Sequence, residues 1–132
     1  MKCLLFPLLL LFSVNVYAQS FLCEVMNQTT AGLLGSKEYD SIKMVEVQIS
    51  DRKVILFEKE EVFGENVIEK KVFYSEEKIN IDNFTYLSDS RSRDESLNHL
   101  TLQTIDDKLF INRTSMRPFA SYVNIYKCLK KE

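Results

Sequence analysis

Few residues in this chain are of a type that could do chemistry. The single histidine, His99, is the natural candidate for an acid, a base or a metal ligand. It opens a run in which Leu100 and Leu102 are the apolar positions, so it shares the opposite face with Thr101 and Gln103 and reads as a rim or solvent-facing residue. A zinc centre needs several imidazole or thiolate ligands, and one histidine cannot supply them, so neither a metal nor a cofactor is assigned. No serine sits in a Gly-x-Ser-x-Gly elbow, and no glycine-rich loop is present to cradle a phosphate. Carboxylates are plentiful, notably Glu58, Glu60 and Glu61 and the pair Asp106-Asp107, which leaves a two-carboxylate hydrolase as the enzymatic alternative. These carboxylates lie in apparent turns, where acidic residues are ordinary, and no catalytic residue is assigned.

The cysteines are more informative. Met1–Ala18 has a charged start at Lys2, an apolar run from Leu4 to Phe12 and the small-residue site Val16-Tyr17-Ala18, the pattern of a secretory signal. Cys3 leaves with that segment, and Cys23 and Cys128 remain with one intramolecular pairing open to them in an oxidising compartment. The expected location is secreted or periplasmic, with one domain from Gln19 to Glu132. Bulky Ser20-Phe21-Leu22 before Cys23 argues against a lipid anchor. No later stretch approaches the ~20 apolar residues of a membrane-spanning helix, so no membrane insertion is expected after cleavage. The formal net charge of −2 and the scattering of the basic residues argue against nucleic acid as a partner.

Those cysteines must be positioned by strands. Short runs of β-branched and aromatic residues recur about every ten positions, separated by Asp, Asn, Ser and Lys, which predicts an all-β fold: a small antiparallel barrel or sandwich of about eight strands. Predicted strands cover Phe21–Met26, Ile42–Ile49, Lys53–Glu58, Val67–Tyr74, Lys78–Ile81, Phe84–Leu87, His99–Thr104, Leu109–Asn112 and Tyr122–Leu129. The terminal strands are expected to lie antiparallel and to be joined by the Cys23–Cys128 disulfide. Glycine is scarce, so the hairpins are expected to rely on Asx-containing type I turns.

Two longer connections stand out. Asn27–Ser41 carries the apolar pair Leu33-Leu34, expected to fold back as a plug over one end of the fold or, alternatively, to act as a lid over an internal cavity. Ser88–Asn98 is polar, holds Arg91 and Arg93, and is expected to be exposed. Tyr122 and Tyr126 share one face of the last strand with Asn124 and Cys128; facing inward they are core around the disulfide, facing outward they join Arg91, Arg93 and His99 as a contact surface. Three Asn-x-Thr tripeptides, at Asn27, Asn83 and Asn112, are potential glycan acceptors.

In size, export signal and terminal disulfide the chain is similar in architecture to the small periplasmic barrels that inhibit lysozymes. Their recognition loops, which include tryptophan, have no matching segment here, and this chain has no tryptophan. The resemblance therefore transfers no residue and no function. The expected function is binding without chemistry, with an unknown protein partner, for example an enzyme it inhibits, or a small apolar ligand; a purely structural envelope role is the remaining alternative.

Overall fold

The computed structural model describes residues 18–88 and 97–131. Most of the expected signal segment, and Arg91 and Arg93, lie outside the described residues. The strands are β1 (Gln19–Gly32), β2 (Gly35–Glu38), β3 (Ile42–Ile49), β4 (Lys53–Val62), β5 (Glu65–Tyr74), β6 (Thr85–Ser88), β7 (Leu97–Ile105), β8 (Lys108–Arg117) and β9 (Ala120–Lys130). All pairings are antiparallel, in the order β1-β3-β4-β5-β6-β7-β8-β9, and β9 pairs back onto β1 to close the sheet. The result is an eight-stranded barrel, with β2 an extra strand folded back onto the end of β1. Closure removes the sheet edges that an open meander would leave unpaired.

Period-two alternation builds the wall. In β3, Val45, Val47 and Ile49 point inward and are buried, and in β4 Val54 and Leu56 do the same. Phe73, Leu87, Leu100, Leu102, Leu109 and Ile111 complete an apolar half of the lumen. Each such side chain stabilises the fold by about 1.5–3 kcal/mol relative to exposure. Cys23 and Cys128 sit directly opposite one another on β1 and β9, with Cα atoms 4.0 Å apart, and form the expected disulfide across the closing seam.

The segment Lys78–Ile81 is not a strand. Ile79 and Ile81 pack against the core, but their backbone bonds run across the barrel end: Ile79 N–H donates to the Asp51 carbonyl at 2.6 Å, and Thr104 N–H donates to the Ile81 carbonyl at 2.7 Å. The segment crosses that end as a cap.

The other end is arranged differently. The expected plug is absent, because β1 continues to Gly32 and turns through Leu33-Leu34 into β2, which leaves both leucines exposed at a hairpin tip. A bulge at Met26 shifts the β1 register, so that Gln28 turns inward where Cys23 did before it. The Gln28 amide then bonds both backbone groups of Ile42, with Nε2 to O at 2.8 Å and N to Oε1 at 3.1 Å, and replaces the ladder where β1 leaves β3.

The turns also depart from the type I expectation. Asp106 and Asp107 both have positive φ, +50° and +62°, as do Phe63 and Gly64, at +51° and +79°. Two-residue turns with positive φ at both positions match the right-handed strand twist, and that match outweighs the local cost of placing non-glycine residues there.

Candidate functional site

Along each long strand the inward residue changes from apolar to polar at about the same level. β4 runs Val54, Leu56, Glu58; β8 runs Leu109, Ile111, Arg113, Ser115; β9, read in reverse, runs Cys128, Tyr126, Asn124. The barrel thus has an apolar half beneath a polar one. An open cavity of about 580 Å³ occupies the polar end, lined among others by Tyr39, Glu60, Glu69, Arg113, Arg117 and Tyr122. That volume lies within the ~300–1,000 Å³ range of small-molecule sites.

Its floor is an ion pair. Arg113 Nη2 donates to Glu58 Oε2 at 3.1 Å, and Arg113 Nε lies 2.8 Å from Oε1. The second contact is electrostatic without hydrogen-bond geometry, so Nε and Oε1 each lack a hydrogen bond. Lys71 Nζ stands 3.6 Å from the same Oε1 and 3.5 Å from Glu69. Burial is the largest single influence on Arg113 and by itself would lower its pKa, but the Glu58 carboxylate, Tyr126 and Tyr39 together outweigh it and hold the guanidinium above its ordinary value.

Around the pair the network extends to both sides. The Asn124 amide lies between Arg113 Nη2 and Tyr39 Oη, 2.7 Å from each. Turning its oxygen toward Arg113 satisfies both, and the amide nitrogen then also donates to the Val123 carbonyl at 3.1 Å. The Tyr126 hydroxyl engages Arg113 and Glu58; burial first, and Glu58 second, push its pKa well above the ordinary phenol value. Higher in the cavity Tyr122 meets Tyr39 edge-on, with ring centroids 6.4 Å apart, and the Arg117 guanidinium lies 5.5 Å over the Tyr122 ring. Burial and the neighbouring Glu69 raise the Glu60 carboxyl above its usual range.

The residues singled out in the sequence are thus dispersed. Tyr126 is fully buried, the inward one of its two alternatives, and offers nothing to a protein partner; Tyr122 lines the cavity. His99 is half-buried on the barrel's outer face, where Nδ1 meets the Tyr86 hydroxyl and the rings lie 5.4 Å apart. The turn assignment of Glu58 is corrected: β4 runs on to Val62, and Glu58 is a wholly buried strand residue. Glu58 and Arg113 continue the alternation Val54-Leu56 and Leu109-Ile111 with opposite charges, which is the sequence signal that could have found them. With both Glu58 oxygens against cations, the arrangement is suited to fixing charge rather than to moving a proton.

Compared with known protein families, curated proteins and solved structures, the chain finds no match.

Proposed function

We propose that this protein is a non-catalytic binding module that engages a protein partner through the open end of its barrel, in the secreted or periplasmic setting that a disulfide suits. The observation that carries this reading is Phe63. It stands fully exposed at the β4–β5 tip with φ +51°, a backbone region that disfavours bulky side chains. Folding gains nothing from an aromatic residue there, and such outliers concentrate where function requires them.

Two other hairpins support it. Leu33 and Leu34 cap the β1–β2 tip, 81% and fully exposed, and Phe119 in the β8–β9 turn is 72% exposed. Strand direction places all three tips at the end where the cavity opens, and the first and third are adjacent: a Cβ on Gly32 would stand 3.0 Å from the Phe119 carbonyl oxygen. Apolar tips around a polar recess resemble the anchors and polar groups of a recognition surface. The charged lining favours a polar occupant of the cavity over an apolar cargo.

The test is capture of a partner from source material by the oxidised protein, compared with Phe63→Asn, Leu34→Ser and the closed-end control Ile105→Ser. The expected outcome is that Phe63→Asn and Leu34→Ser lose capture while the control keeps it. Equal capture by all four proteins rejects the open end as the docking surface.

A further inference from the structure

β4 and β8 lie four places apart in the eight-stranded order, so they face each other across the lumen. The Glu58–Arg113 contact shows that their side chains meet at the floor. Two residues further along β4 comes Glu60, and further along β8 come Ser115 and Arg117, all lining the cavity. At the floor the charges are joined: Glu58 with Arg113 and Lys71, and Lys71 also with Glu69. Above it they are not. Among the described residues neither Glu60 nor Arg117 forms an ion pair, and Arg117 rests on the Tyr122 ring.

The mouth therefore holds the Glu60 carboxylate, outside any ion pair, on one wall and the Arg117 guanidinium above Arg113 on the opposite one. Lys70 and Lys71 are the cations on the Glu60 side, and Lys71 is already engaged by Glu58 and Glu69. We propose that the open mouth binds a short zwitterionic peptide, its ammonium against Glu60 and its carboxylate against Arg117. This rests on the reading of the open end as the recognition end and assigns the chemistry of what enters it.

The alternatives fit less well. An apolar ligand would desolvate Glu60, Arg113 and Arg117 without replacing their water. A simple anion would answer Arg117 but leave Glu60 without a counter-ion, which an ammonium supplies. The volume of a tripeptide is well within about 580 Å³.

The experiment is calorimetric titration of the oxidised protein with trialanine, with its N-acetyl form and with its C-terminal amide. Trialanine is expected to bind, and each capped form to bind at least about tenfold more weakly. Arg117→Gln should abolish the discrimination against the amide, and Glu60→Gln the discrimination against the acetylated form. No binding of trialanine up to about 10 mM, or equal binding of the acetylated form, overturns the proposal, the latter in favour of a plain anion site. If partner capture depends on Phe63 while trialanine fails to bind, the peptide assignment falls and the docking surface stands. If trialanine binds and capture ignores the tips, the reverse holds.

Discussion

Glu58 on β4 and Arg113 on β8 bridge the barrel from opposite walls, 55 residues apart in sequence, and divide an apolar half of the lumen from a polar one. A buried pair of this kind is costly to break and of little net benefit when replaced whole. Arg113→Met should therefore cost about 3–5 kcal/mol in urea unfolding, because the Glu58 carboxylate loses its main partner. The double variant Glu58→Leu/Arg113→Met should lie near or above the parent in stability. A double variant as unstable as the single one would show that the bridge itself holds the barrel together.

Tyr126 sets an alkaline limit. Unfolded, its phenol ionises near the ordinary value of 10.0; folded, burial and Glu58 keep it protonated to higher pH. Above about pH 10 the unfolded state binds fewer protons than the native state, so stability falls as pH rises. Tyr39, also raised by burial, adds to the slope, so the comparison is between the parent and Tyr126→Phe. The variant should lose less stability between pH 8 and pH 11 in denaturant titrations. Identical slopes would remove Tyr126 from the account.

The β7–β8 turn can be improved. Asp107 holds φ +62°, where glycine carries no Cβ penalty and where Asp-Gly is the favoured pair. Asp107→Gly should stabilise the domain by about 0.5–1 kcal/mol, read as a raised urea midpoint at unchanged slope.

The disulfide spans 105 residues of sequence and ties β1 to β9. Replacing both Cys23 and Cys128 by alanine should cost about 2–5 kcal/mol in chemical denaturation. Retention of full stability would show that the seam's backbone ladder suffices by itself.

Alternation in Val45-Val47-Ile49, the spacing of apolar runs and the cysteines Cys23 and Cys128 made the barrel and its closure legible in the sequence. The site was not, for a physical reason: a charged side chain in an inward position looks in sequence like the end of a strand. Glu58 therefore resembles a turn carboxylate where its strand in fact runs on to Val62, and its partner lies on a strand 55 residues away. The Leu33-Leu34 pair misled in the opposite sense, since an apolar pair can stand exposed at a hairpin tip as well as fold back onto a core. At Asp106-Asp107 local residue preference pointed to a type I turn, and strand twist imposed the mirror form.

The closing seam also fixes how the domain can be tethered. Lys131 N–H donates to the Ser20 carbonyl at 2.8 Å, so the entry of β1 and the exit of β9 lie side by side at the capped end. A linker, label or immobilising surface joined at either place would leave the hairpin tips and the cavity facing away from it. The same adjacency suits the fold to circular permutation, with the old ends bridged by a short loop and new ones cut at the Asp51-Arg52 turn.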